Sequence, residues 1–345
     1  MIKSEKRYLF AVYACIIICA HPPGYSWKNK GFAENTHISR NFFGVSRVAE
    51  TLHNTRVLIH GGTIHGSQSL DPEYSLEPIS YYSEYGPLRE AFSVLDDKPG
   101  EQNIALIGLG VGAALCYTKE GRHFDIFEID PDVIGYAENT DLFRYMSDCG
   151  SPYKIIIGDG RLTMKNQPDD KYDLIFLDAF SSDNIPMHLI TKDAMEMYLN
   201  KLKSDGLILV NISNRYINLR PAIAKIAETL DLNAFGKLMP EGTLPDSDIK
   251  YDAASGVVLT RTLSHAVFLN NRNWKQLEAP EDFRVWTDDF SNIISVLSIF
   301  YSLEDELEEL RENRPAHLRK KPESQNKTEE NSAPPIEIQD LPAPD

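Results

Sequence analysis

Apolar residues in this chain gather in short runs separated by stretches with helical spacing, the pattern of buried parallel strands wrapped by helices. IALI at 104–107, FDIF at 124–127, KIII at 154–157, LIFL at 174–177 and the run 207–212 are the strands of this series. Pro131 stands at the first position of a helix reaching about residue 139. Thr191 opens a second helix to about residue 202, stopped by Asp205-Gly206, and 219–230 reads as a third. Strand and helix in alternation predict a parallel α/β sheet, with a late strand over 257–260 as its antiparallel closing partner. Residues 41–64 alternate instead, NFFGVSRVAE and TRVLIHGGTIHG about a His53-Asn54-Thr55 turn, which predicts a β-hairpin layer ahead of the sheet. A short helix follows from Pro87.

The stretch 103–130 carries the first chemical signal. Gly108, Gly110 and Gly112 cluster at the carboxyl end of the first strand, where a glycine turn lets backbone approach a ligand and the next helix aims its amides at it. Glu128 ends the second strand about 20 residues on, where a carboxylate accepts the hydroxyls of a ribose. This is a nucleoside-binding unit. GLGVGA has Ala at the sixth position of the dinucleotide fingerprint, so NAD and purely structural glycines stay open on this segment alone. After the third strand stands Gly158-Asp159-Gly160, whose carboxylate either accepts from an adenine amino group or caps the next helix. The fourth strand runs into DAFSSDNIP at 178–186, sending Asp178 and Asp183 off the carboxyl edge, where open α/β sheets bind ligands. Tyr81-Tyr82 lies between hairpin layer and nucleotide fold, as packing or as part of a substrate lid.

Charge narrows the partners. A formal net charge of -16 argues against nucleic acid and anionic membrane surfaces, which require basic patches. Cys15, Cys19, Cys116 and Cys149 include no CxxC and no Cys/His metal spacing, so neither a metal site nor a disulfide framework is expected, and the thiols read as buried and inert. His60 and His65 flank a Gly-Gly turn and read as loop residues. The apolar run 8–20 is short for a membrane span and lacks a clean cleavage site. It is read as a membrane-associating leader or the remnant of a membrane helix, which puts the protein in the cytoplasm at the inner membrane, with export as the alternative. From residue 314 the composition is that of a disordered tail. The expected division is leader 1–36, β layer 37–95, nucleoside-binding α/β domain 96–265, C-terminal helical segment 266–313 and tail 314–345.

As an ordered set, Gln68, Tyr81-Tyr82, GLGVG, Glu128-Ile129-Asp130, Gly158-Asp159-Gly160 and the 178–186 loop resemble the spermidine synthases, the polyamine aminopropyltransferases. SRNFFGVSRV, the GTIHGSQ turn, LDAFSSDNIP and WTDDFSN resemble above all the synthase-like domains fused to membrane transporters. The resemblance implies a class I methyltransferase-like (Rossmann-like) sheet behind the β-hairpin layer, and decarboxylated S-adenosylmethionine or S-adenosylmethionine as cofactor, without a metal. It implies Glu128 on the ribose, Asp159 and Gly160 on the adenine, Gln68 near the thioether, Pro186 on the adenosine wall and the glycines 108, 110 and 112 as the cradle. Asp178 matches the catalytic aspartate; Tyr82 and Asp183 match acceptor-binding positions, with the Asp178–Asp183 spacing two residues longer than the family's. Val111 stands where the active synthases carry an aspartate that grips the diamine, which predicts weak handling of a second ammonium. The implied activity is aminopropyl transfer to a small amine such as putrescine. A methyltransferase and a non-catalytic nucleoside-binding domain are the alternatives, and a homodimer is left open.

Overall fold

The computed structural model describes residues 32–179, 186–214 and 217–297, with Asn313 and Pro315. The leader before residue 32, Asp183, most of the C-terminal helical segment after 297 and the tail, Pro315 apart, lie outside the described residues. The expected hairpin layer is a four-stranded antiparallel sheet paired in chain order: β1 (Phe32–Asn41), β2 (Gly44–Thr51), β3 (Thr55–His60) and β4 (Thr63–Ser69). Val48 and Leu58 of this sheet join the main core, while Ala49, Val57 and Ile59 form a small apolar cluster of their own, so its central strands are buried on both faces.

The second sheet contains β5 (Gln102–Ile107), β6 (Arg122–Glu128), β7 (Tyr153–Ile157), β8 (Tyr172–Leu177), β9 (Leu202–Asn211) and β10 (Asn233–Met239). Beyond a separate two-residue pair, β11 (Gly242–Thr243) with β12 (Lys250–Tyr251), come β13 (Ala254–Thr260) and β14 (Lys275–Gln276). The order is β7-β6-β5-β8-β9-β13-β10-β14. Strands β5 to β9 are parallel, and β13 lies antiparallel between β9 and β10. The chain leaves β5 toward β6 and β7 on one side, then returns to lay β8 and β9 on the other. This reversal opens a crevice beyond the carboxyl ends of β5, β6 and β8.

Alternation along each strand divides the core. Ile104 and Leu106 of β5 face one layer with Leu88 and Phe92 of α1 (Pro87–Asp96), Ile134 and Ala137 of α2 (Pro131–Glu138), and Tyr145 and Met146 of α3 (Tyr145–Asp148). Ala105 and Ile107 face the other, with Met164 of α4 (Gly160–Lys165), Tyr198 of α5 (Lys192–Lys201), and Ile223 and Ile226 of α6 (Arg220–Thr229). Residues 131–138, 192–201 and 220–229 thus form the helices that the apolar spacing predicts. The glycine turn is different: the segment after it is a 3-10 turn of four residues, Ala113–Cys116, in place of the expected α-helix. Gly112 enters it left-handed at φ 83°, which breaks the α path at its first step.

The first sheet docks at the same edge. Asn41 donates from Nδ2 to Asp130 Oδ1 at 2.6 Å and Asp132 Oδ2 at 3.0 Å, at the start of α2. Tyr145 Oη donates to the Ser67 and Glu77 carbonyls at 3.1 and 2.9 Å. The expectation of inert thiols is corrected here: Cys116 and Cys149 form a disulfide with their Cα atoms 4.9 Å apart. Thirty-three residues separate them, and packing of the 3-10 turn against α3 brings them together, which no local spacing reveals. A bridge closing a loop of that length is expected to contribute about 3 to 4 kcal/mol through the unfolded chain. Cys116→Ser should therefore lower the denaturant midpoint by that equivalent in urea titrations under oxidising conditions, and leave it unchanged from the reduced wild type.

Candidate active site

Register assembles the site. Ile107 pairs with Phe127 on β6 and with Leu177 on β8, and Leu177 pairs with Val210 on β9. The next residue on each of the four strands is Gly108, Glu128, Asp178 and Asn211, so these stand side by side along the carboxyl edge. Gly108, at φ 102°, passes so close to β8 that a Cβ would sit 2.4 Å from the Asp178 carbonyl oxygen. Only glycine satisfies both the left-handed conformation and the close approach.

Gly108, Glu128 and Asp178 line a cleft of about 160 Å³, with Asn211 behind Asp178. Gly108, Gly110, Glu128, Asp159, Gly160, Asp178 and Pro186 are on its wall. Glu128 is 8% exposed; its Oε2 accepts from the Leu109 amide at 2.9 Å and its Oε1 from the Ile129 and Asp130 amides at 2.8 and 2.9 Å. Burial raises its pKa, opposed by those amide bonds. One carboxylate thus fixes the glycine turn and still presents oxygen to the cleft. Asp159 caps α4, accepting from the Leu162 amide at 2.9 Å through Oδ1, while Oδ2 lies 2.9 Å from His188 Nε2. Its capping role holds, and the second oxygen keeps a lone pair for a ligand donor.

Asp178 is 6% exposed. Its Oδ2 accepts a short hydrogen bond from the Tyr82 hydroxyl, and its Oδ1 accepts from Asn211 Nδ2 at 2.6 Å. Both donors are neutral. Burial pushes its pKa up to about 7, with the Tyr82, Asn211 and Tyr81 hydrogen bonds opposing the shift and the Glu128 charge adding to it. The same strand carries a contrast: Asp173 is wholly buried too, but Lys98 and Lys203 meet it at 2.5 and 2.8 Å. One carboxylate of β8 is neutralised as a staple, and the other is left uncompensated in the cleft. The Tyr82 hydroxyl is held well above its ordinary value by burial and by the Asp178 charge, so it stays protonated as a donor. Tyr82 is therefore tied to Asp178 at the sheet edge, beyond packing alone.

Other expected residues fall elsewhere. Gln68 is buried off the cleft wall, with Nε2 donating to the Ser75 carbonyl at 2.7 Å and Oε1 accepting from the Arg144 amide at 2.9 Å. Gly112 also lies off the cleft wall, where a Cβ would meet Met146 Cγ at 2.6 Å. Val111 is 0% exposed in the core, and its Cγ2 is 2.6 Å from where a Cβ on Gly66 would lie. It packs beneath β4 and does not line the cleft. His60 and His65, read as loop residues, are strand residues on the cleft wall, with rings 5.6 Å apart. Asn211, Phe43 and His188 were missed as well; only the position of Asn211, closing the apolar run of the fifth strand at the same edge as Asp178, held a usable signal. Among the described residues no group of three or more His, Cys, Asp or Glu is placed to hold a metal ion. No described helix is long and apolar enough to cross a membrane.

A probable spermidine synthase from Corynebacterium glutamicum ATCC 13032 superposes with a TM-score of 0.51 at 11% identity, covering 76% of this chain and 97% of that one. The chain has the spermidine synthase fold. The spermidine synthase from Thermotoga maritima aligns at a TM-score of 0.48 and 12% identity, over 80% of this chain and 87% of that one. In sequence, a polyamine aminopropyltransferase of Vibrio vulnificus (strain CMCP6) is 35% identical over 118 residues, 33% of this chain. The matched stretch spans 38% of that relative's length. No protein-family model matches the chain. The resemblance to the aminopropyltransferases is thus borne out in sequence and in fold.

Two predictions follow from the synthase-fold edge. Asp178 has its pKa raised on folding, so ionising it costs stability as pH climbs from about 4 to about 7; the full cost, on the order of 4 kcal/mol, stands above pH 7. Asp178→Asn should raise Tm at pH 8 and lose that advantage at pH 4.5; calorimetry showing a pH-independent difference would contradict the burial account. Val111→Asp places an unpaired charge in the core and should cost on the order of 3 to 5 kcal/mol, read as a fall in urea midpoint.

Proposed function

We propose that the protein transfers the aminopropyl group of decarboxylated S-adenosylmethionine to an amine acceptor such as putrescine, with Asp178 as general base. The observation that carries this reading is the edge itself: a nucleoside cradle, Gly108 with Glu128, sits one strand from a buried carboxylate whose pKa is about 7. Glu128 would accept the ribose hydroxyls, Asp159 and Gly160 would meet the adenine, and Pro186 would cover its face. The donor supplies a sulfonium with an electrophilic methylene carbon beside it.

Asp178 handles the acceptor. A primary amine with a pKa of about 10 is protonated at neutral pH and has no free pair to offer. A carboxylate with a pKa near 7 takes that proton far more readily than an exposed one, and is itself largely ionised just above pH 7. Asn211 and Tyr82 fix the two oxygens, so the lone pairs they leave free are aimed. As the new C–N bond forms the C–S bond breaks, its electron pair stays on sulfur as methylthioadenosine, and the amine proton leaves through Asp178. Oriented reactants in the cleft supply much of the remaining acceleration.

Mass-spectrometric product analysis with decarboxylated S-adenosylmethionine and a panel of amines tests the reading. Methylthioadenosine and an aminopropylated amine should form together, with kcat/KM rising with pH to a plateau above 7. Asp178→Asn should reduce turnover by about 100-fold or more while methylthioadenosine binds within about threefold of wild type. Methyl transfer from S-adenosylmethionine, with no aminopropyl product on any amine, would replace this reading.

A further inference from the structure

The segment WTDDFSN lies in sequence more than 100 residues beyond Asp178 and contributes nothing to the cleft wall. Its contacts nevertheless lead there. Arg161, immediately after Asp159-Gly160, donates from both terminal nitrogens to the two oxygens of Asp288, each at 2.7 Å, a bidentate pair. The same Arg161 Nη1 donates to the His188 carbonyl at 2.9 Å. Thr191 Oγ1 gives a further bond to Asp288 Oδ1 at 2.7 Å, and the Asp288 amide donates to Asp193 at 2.9 Å. Arg161 holds the Asp288 carboxyl below its usual range.

We infer that Asp288 is a positioning residue for the purine end of the cleft, acting through Arg161. The guanidinium bridges two separate parts of the wall: α4, which begins at Gly160, and the 3-10 turn Met187–Leu189, which carries His188. His188 Nε2 returns to Asp159 Oδ2, so backbone and ring of one residue tie the Arg161 fork to the carboxylate facing the ligand. Trp286 anchors the base of the clamp, fully buried against α5, and its carbonyl accepts from the Lys192 amide at 2.8 Å. Asp288 and His188 are partly exposed, and an isolated exposed pair contributes little; here the fork is bidentate, shared with Thr191, and closes a ring through four elements. Its effect is directional. It keeps Asp159 Oδ2 where an exocyclic amino group on a purine can donate to it.

This inference rests on the nucleoside reading of the cleft, and the test separates the two. Calorimetric affinities are measured for methylthioadenosine and for its analogue lacking the 6-amino group, on wild type, Asp288→Asn, Asp288→Glu and Arg161→Lys. Wild type should favour the amino compound about tenfold. Asp288→Asn and Arg161→Lys should bring that ratio close to one while affinity for the deamino analogue and Tm change little, and Asp288→Glu should restore it. A ratio unchanged in Asp288→Asn, or an equal loss of both ligands together with a fall in Tm, would overturn the clamp while leaving the nucleoside reading intact. A wild type that binds neither nucleoside would sink both.

Discussion

The close approach of the turn leaving β5 to the main chain at the end of β8 is the constraint on which the site depends. Gly108 lies against the main chain of Asp178 with no room for a side chain, and the register of the sheet aligns glycine, acid, acid and amide on four adjacent strands. A single-residue slip of any strand would turn its edge residue away. Because the strands are buried on both faces, a slip would also move apolar side chains between the two core layers, so packing and site geometry enforce one another. The carboxyl edge is therefore fixed by the same packing as the core beneath it.

The second consequence is electrostatic. The hydrogen-bond donors to Asp178 carry no charge, whereas Asp173 at the other end of the strand has two lysines. Burying a carboxylate with neutral partners keeps its proton available near pH 7, and burying one with cations makes a staple. One of the neutral donors, Tyr82, comes from the link between the N-terminal sheet and α1. The N-terminal layer thus completes the edge as well as covering it.

Much of this was legible in the sequence. The five parallel strands, the closing antiparallel strand, the glycine turn, Glu128 and Asp178 follow from apolar runs and the residues that end them, because strand ends and sheet edge coincide in a doubly wound fold. What was not legible came from contacts between distant segments. The turning of Val111 into the core beneath Gly66, the diversion of Gln68 into main-chain bonds and the entry of His60 and His65 into the cleft depend on how the first sheet docks on the second, and the Cys116–Cys149 bridge on how the 3-10 turn packs against α3. No local spacing encodes that docking. The 3-10 turn after Gly112 was missed for another reason: glycine spacing marks a turn but leaves the conformation after it unspecified.

The central claim is that the sheet edge holds Asp178 as a carboxyl group titrating near neutrality. Carbon-13 NMR titration of the side-chain carboxyls in aspartate-labelled protein, with the Asp178 resonance assigned by its absence in Asp178→Asn, measures this directly. The account predicts a midpoint of about 7. A midpoint near 4, the ordinary value for an exposed aspartate, would contradict it.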